Sequence, residues 1–180
     1  MIFRTLLLFI TSRRRSPLHV HDVGRMPIRV LPTDLDILGH MNNGVYFSIM
    51  DLGRFDLMIR SGLWPKLQAK GYYPVMANET GTFRKSLKPW QRVILESRIV
   101  GYDAKGVYME QRFVVDGEIY MSAMTRAAFL KKTGGRVSLE ELSELAGVDA
   151  TTMPPPAWIQ PWVDSVTLPP TRDPAPSDWA

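Results

Sequence analysis

The chain has 180 residues, 45% of them apolar and 22% charged, which fits one soluble domain with tails and a real core. It has no cysteine, which excludes a disulfide framework, a thiol nucleophile and a zinc–thiolate site, and suits a cytoplasmic location. The formal charge of +4 is matched by residues 1–25 alone, where Arg4, Arg13, Arg14, Arg15 and Arg25 stand against Asp22. The remainder is neutral, so a basic face for nucleic acid is not expected.

The N-terminal arm reads MIFRTLLLFITSRRRSP. Its apolar run is far short of the roughly 20 residues a spanning helix needs. The positive charge follows the run instead of preceding it, and no small-residue cleavage site comes after, so the segment does not read as a signal peptide. Two readings remain: a helix packed on the domain, or a surface-lying segment that touches a membrane peripherally.

The domain is expected over residues 26–147. Residues 26–32 read as a strand closed by Pro32. Residues 44–60 read as a helix that is apolar nearly all round, the pattern of a helix buried in the middle of something. At ~1.5 Å per residue it would run roughly 25 Å. Asp51 with Arg54, and Asp56 with Arg60, have helical pair spacing. Gly62 is a plausible stop. Four strand-like runs follow at 74–87, 91–102, 106–115 and 118–131, with period-two patterning and turns at 103–106 and 116–117. A short helix at 138–147 opens on a capping box of Ser138 and Glu141. The order predicts an α+β fold in which one antiparallel sheet wraps a long central helix. Prolines crowd the tail from 148 to 180. Trp158, Ile159 and Trp162 are expected to pin an extended segment, with a loose end past Asp164.

The densest chemistry lies between the first strand and the central helix, in DLDILGHMNNGVY over residues 34–46. A helix start leaves amide N–H groups unpaired and carries partial positive charge, so it can hold an oxyanion. Asn42 or Asn43 is a natural cap. Asp36, His40 and these amides at one helix end suit water activation beside a polarised carbonyl, as in acyl-group hydrolysis. Asp34 and Asp36 could also serve only as carboxylates that complement the helix dipole, and His40 could simply hold the loop.

DLDILGHMNNGVYFSIMDLGR resembles the active-site segment of the hotdog-fold acyl-CoA thioesterases, in the D-x-D-x-x-x-H-M-N-N-x-x-Y form of the 4-hydroxybenzoyl-CoA thioesterase-like branch and of thioesterase superfamily member 6-like proteins. PVMANETGTFRKSLKPWQ and LESRIVGYDAKGVYMEQRF extend the likeness over roughly residues 29–144. The resemblance implies an acyl-CoA thioester hydrolase built as homodimers or homotetramers, with sheets joined edge to edge and sites at that interface. It implies Asp36 as general base or nucleophile and the amide of Asn43 as the oxyanion donor. His40 matches the histidine of plant acyl-carrier-protein thioesterases, but Leu38 stands where those carry asparagine, so that use of the side chain is not open. Tyr46 matches the pattern's tyrosine, and Asn42 is expected beside it at the substrate.

Thr80, Gly81 and Thr82 lie where the partner's site would pass, and Arg84, Lys85 and Lys88 could meet coenzyme A phosphates. No cofactor is expected, nor a metal, since His19 and His21 lack a third ligand nearby. Met50, Met58, Met76, Met109, Met121 and Met124 could line an acyl pocket or be ordinary core. A magnesium-dependent aspartyl phosphatase is disfavoured by Leu38 and by the strand order. The competing class is a module that binds an acyl chain or acyl-carrier protein without turnover, its arm on a membrane.

Overall fold

In a computed structural model that describes residues 2–177, the apolar run after Asn42 forms an 18-residue helix, α2 (Asn43–Arg60). Five antiparallel strands enclose one side of it: β1 (Gly24–Arg29), β2 (Tyr72–Phe83), β3 (Arg92–Asp103), β4 (Gly106–Val115) and β5 (Glu118–Lys131). Their order in the sheet is β1-β3-β4-β5-β2. This is the hotdog architecture.

The alternation in the strands does the sorting. Val93, Leu95, Ser97 and Ile99 of β3 are buried, while Arg92, Ile94 and Arg98 between them are exposed. Ile49 and Met50 of α2 pack with Leu95, Phe113 and Met121 in one core cluster. Leu57 packs with Ile99, Phe129 and Leu142 in a second, at the far end of the helix. Gly53 lies at the closest approach of the two layers: a Cβ there would sit 2.5 Å from Leu95 Cδ2 and 2.7 Å from Ser97 Oγ. A mid-helix glycine costs about 1 kcal/mol against alanine, and here the freed space lets the helix seat on the sheet.

Element ends differ from the sequence expectation. β1 begins earlier, at Gly24, and stops at Arg29, because Pro32 starts a 3₁₀ turn (Pro32–Asp34) instead of finishing a strand. β2 starts at Tyr72 and ends at Phe83, shorter at its far end than the run to residue 87. A helix unforeseen in the sequence, α3 (Leu63–Lys70), follows Gly62, whose φ of +71° ends α2. Leu63 and Leu67, four residues apart, bury its inner face.

The tail is not extended at Trp158, and its exposed run without helix or strand starts at Thr167, close to the expected Asp164. Ahead of that run the tail forms α5 (Ile159–Val166) on the sheet face opposite α2. Pro161 falls in the first turn, where no intrahelical amide is needed. Ile159 and Val163 bury against Tyr108 and Met124. Trp162 Nε1 donates to Thr80 Oγ1 at 3.1 Å, and Asn78 Nδ2 donates to Val166 O at 2.9 Å. Upstream, Pro155 rests on Gly101, where a Cβ would meet its Cα at 2.4 Å.

The arm folds as α1 (Ile2–Ser12) and packs on α2, so the packed reading of this segment describes its inner side. Phe9 meets Phe55 and Trp64 at ring separations of 6.2 and 6.3 Å. Asp56 is more than a helical partner of Arg60. It is almost fully buried and also takes Ser12 Oγ at 2.7 Å and Arg15 Nη1 at 2.9 Å.

Helix α4 (Leu139–Ala146) carries the expected capping box of Ser138 and Glu141. The Lys131 ammonium, the Ser138 amide and the Tyr72 hydroxyl together pull the Glu141 pKa down to about 2.

Two outcomes follow. Gly53→Ala forces Leu95 and Ser97 aside and should lower unfolding free energy by about 1–3 kcal/mol in urea titration. Because the folded pKa of Glu141 lies below its ordinary 4.5, its contribution is present above that pH and fades as pH falls toward about 2. Glu141→Gln should therefore lower Tm at pH 7, with the gap from wild type closing on acidification through that window.

Candidate active site

The loop between β1 and α2 is a small closed neck. Leu35 and Met41 form an antiparallel bridge across its base. Within the loop, Asp36 N–H donates to His40 O at 2.8 Å and Gly39 N–H donates to Asp36 O at 3.1 Å. Gly39 takes φ +75°, a conformation glycine adopts freely. The side chain of Asp36 completes the turn from inside: Oδ1 accepts the amides of Leu38 at 2.9 Å and His40 at 3.3 Å. Among the described residues, Asp36 Oδ2 has no hydrogen-bond partner. Met41 N–H donates to Leu87 O at 2.9 Å and ties the neck to the segment after β2.

α2 starts where the neck ends. Asn42 is the cap, with extended backbone and Oδ1 accepting Gly44 N–H at 2.9 Å. Asn43, the first helical residue, has an amide with no acceptor among the described residues, and both asparagines are exposed. Asp36 follows one bridged residue and Asn43 stands two beyond the other, so the half-buried carboxylate and the helix start leave the same neck. The His40 side chain, partly exposed, has no hydrogen-bond partner among the described residues.

Asp34 has a structural post. It is 5% exposed, accepts Leu31 N–H at 2.7 Å and Arg4 Nη2 at 2.6 Å, and its carbonyl accepts Asn42 N–H at 2.8 Å. It therefore joins α1 to the neck. Tyr46 turns into the core. Its ring packs at 5.2 Å on Phe83 and 4.9 Å on Phe113, and its hydroxyl accepts Leu87 N–H at 3.3 Å.

The residues named on β2 divide between the two sheet faces. Gly81 faces α2, where a Cβ would meet Met121 Cε at 2.6 Å. Thr80 faces α5, and Thr82 is exposed. Arg84 and Lys85 both pair with Glu118, at 2.7 and 2.6 Å, and are exposed. They sit between Phe83, which touches Tyr46, and Leu87, which holds Met41, and so flank the same end of α2. Lys88 is exposed beside them. Asp36, His40, Asn42 and Asn43 are thus gathered in one place, with Arg84 and Lys85 bordering it. Thr80 to Thr82 lie along the edge strand and share no hydrogen bond with the neck among the described residues.

A second polar cluster, halfway along α2, extends the Asp51–Arg54 helical pair across to the sheet. Arg54, 7% exposed, reaches Asp51 Oδ1 at 2.5 Å, Glu79 Oε1 at 2.9 Å and Gln111 Oε1 at 2.7 Å. Gln111 Nε2 in turn donates to Ser97 Oγ at 2.8 Å and Met50 O at 3.0 Å. Burial raises the Glu79 pKa, and the Arg54 guanidinium opposes the rise. The signal available in the sequence was polar Ser97 and Gln111 at inward positions of otherwise apolar strand faces. Asp51 and Arg54 also wall an apolar cavity of about 130 Å³, lined by Met58, Met76, Met109 and Phe129 among others. None of Asp36, His40, Asn42 and Asn43 lines it. Met50 and Met121 are fully buried core, and Met124 packs on the opposite face of the sheet. His21 Nε2 is engaged with Tyr102 Oη at 2.9 Å.

The sheet, the enclosed helix and the neck at its start define a hotdog-fold protein. The sequence profile of the thioesterase-like superfamily matches residues 30–163, and the chain belongs to that superfamily. The match runs past residue 147 into α5, in keeping with the tail's packing on the sheet. Protein THEM6 of Xenopus laevis is 41% identical over 95 residues, which cover 53% of this chain and 46% of that protein. The chain thus spans about half the length of the curated relatives it matches. Among solved structures, the probable thioesterase YbaW of Escherichia coli aligns with TM-score 0.63 at 22% identity, over 67% of this chain and 94% of that one. A DHNA-CoA thioesterase of Staphylococcus aureus aligns with TM-score 0.64 at 14% identity, over 81% and 96%. These structures share the fold.

Loss of the cap should be measurable on its own. Asn42→Ala removes the acceptor for Gly44 N–H and should cost about 1 kcal/mol in urea titration, whereas Asn42→Ser should recover most of it.

Proposed function

We propose that the chain hydrolyses acyl-CoA thioesters to the free acid and coenzyme A. A water gives its proton to Asp36 as its oxygen attacks the thioester carbonyl carbon. The carbonyl oxygen takes negative charge and is held by the Asn43 amide at the positive end of α2. Collapse breaks the carbon–sulfur bond, and the thiolate leaves with the proton. Asn42 supports this geometry as the cap, and His40 lines the neck. Arg84, Lys85 and Lys88 meet the coenzyme A phosphates. Arg84 and Lys85 exchange Glu118 for phosphate oxygens, so KM should rise with salt.

The observation that carries this reading is the state of Asp36. One oxygen is pinned by two backbone amides and the other is uncommitted among the described residues, at a neck shared with a helix-start amide that has no acceptor among them. A positioned carboxylate base contributes typically 10²–10⁴-fold, so Asp36→Asn should lose roughly that much kcat on an acyl-CoA panel while keeping its fold by circular dichroism. Hydrolysis at the wild-type rate would remove Asp36 from the mechanism.

β2 ends the sheet with a 12-residue edge, and an edge that long is a standing template for another strand. A second copy paired there would cover it and carry its own Thr80–Thr82 toward the site, so a homodimer is the working unit of this proposal, with a tetramer as its doubling.

One observation favours a second reading. The apolar cavity on α2 lies away from Asp36, as would suit holding an acyl chain without turnover. A panel of acyl-CoA and acyl-carrier-protein thioesters separates the two: tight binding with no product release across all lengths would select the binding module.

A further inference from the structure

We propose that the outer face of α1 docks onto an anionic lipid surface. The inference stands apart from the catalytic reading and rests on which side of this helix is the more apolar.

Of the helix's own residues, only Leu8 and Ser12 are fully buried on the domain side, with Arg4, Thr5 and Phe9 partly covered. The opposite side presents Ile2, Phe3, Leu6, Leu7 and Ile10, each more than half exposed, with Phe3 at 87%. At 3.6 residues per turn these five positions fall on a single arc, and residues 13 and 14 continue it. A helix that packs on a domain ordinarily turns its apolar stripe inward and its polar side to water. Here the larger apolar stripe faces out, which is the pattern of a helix lying in a headgroup layer.

The charges point to the chemistry of the occupant. Arg15 is spent on Asp56, and Arg4 on Asp34. Arg13 and Arg14, directly after the helix, are exposed, and their side chains have no partner among the described residues. α1 carries no acidic residue. A second copy pressed against this face would bring arginines and apolar side chains together with no carboxylate to answer them. Lipid phosphates and carboxylates supply what is missing, and cationic side chains at a membrane surface each add to the attraction. Among the described residues no helix is long and apolar enough to cross a membrane, and α1, held along the domain by Leu8 and Ser12, offers its outer stripe side-on, the geometry of an interfacial contact. Arg4 bonds Asp34 Oδ2 and Arg29 O, which places the first turn of α1 beside the neck. The fully exposed Ile37 and the largely exposed Leu38 on the neck extend the apolar surface there.

The test is co-sedimentation of the full chain with phosphatidylcholine vesicles, with and without phosphatidylserine. Wild type should bind the anionic vesicles, and more weakly the neutral ones. Phe3→Ser with Leu7→Ser should weaken binding to anionic vesicles on the order of tenfold or more. Arg13→Ser with Arg14→Ser should weaken it comparably on anionic vesicles and leave neutral ones unchanged. All four positions are exposed, so Tm should hold. Hydrolysis of a water-soluble short-chain acyl-CoA without vesicles should be unaffected, which keeps this test separate from the fate of Asp36. No binding by wild type, or binding of anionic vesicles by both double variants at the wild-type level, overturns the proposal. So does a fall in sedimenting mass on Phe3→Ser with Leu7→Ser without any vesicle binding, which would make a second copy the occupant.

Discussion

Enclosing an 18-residue helix against a sheet requires that the backbone of the two layers come close and that every polar group caught between them find a partner. Gly53 meets the first demand by leaving room for Leu95 and Ser97. Arg54, the next residue, meets the second. It cannot leave the interface, so it is answered by Asp51, Glu79 and Gln111, and Gln111 is answered by Ser97 and Met50. A glycine and an adjacent arginine in the middle of an apolar helix look unfavourable one at a time. Together they set the depth and rotation of α2, and the direction in which its first turn points follows from that.

The neck is built on that orientation. Its amides are consumed almost entirely within the loop, by Asp36, by the Leu35–Met41 bridge and by Leu87. Among the described residues, one oxygen of Asp36, the His40 side chain and the first amide of α2 stay uncommitted there. A loop that satisfies its own backbone can hold a carboxylate still without burying it, and that is the condition the proposed base needs to meet water and a bulky thioester.

Arm and tail work as clasps from opposite sides. α1 is fastened through Asp56, Asp34 and Phe55, and it supports both ends of α2. α5 covers the sheet face that α2 does not use, and through Asn78 and Thr80 it grips the edge strand β2. Both segments read as appendages in the sequence because each contributes few core residues. Their contribution lies in side chains that land on distant partners, such as Ser12 on Asp56 and Trp162 on Thr80, and no local pattern announces those pairings.

By itself the sequence determined the strand faces, the enclosed helix, the capping box at Ser138 and the loop that carries Asp36, His40, Asn42 and Asn43. These are set by side-chain period and turn chemistry within a few residues of each other. Tertiary structure decided the rest. It made Asp34 a tie to α1 instead of a loop carboxylate, because Arg4 approaches from a helix 30 residues away in the chain. It turned Tyr46 into core between Phe83 and Phe113, and gave Arg54 partners from two strands. It also folded the proline-rich tail into a helix, because Ile159 and Val163 had a waiting apolar face on the sheet. Such outcomes turn on which surfaces meet once the chain has closed, and that geometry is absent from any short window of residues.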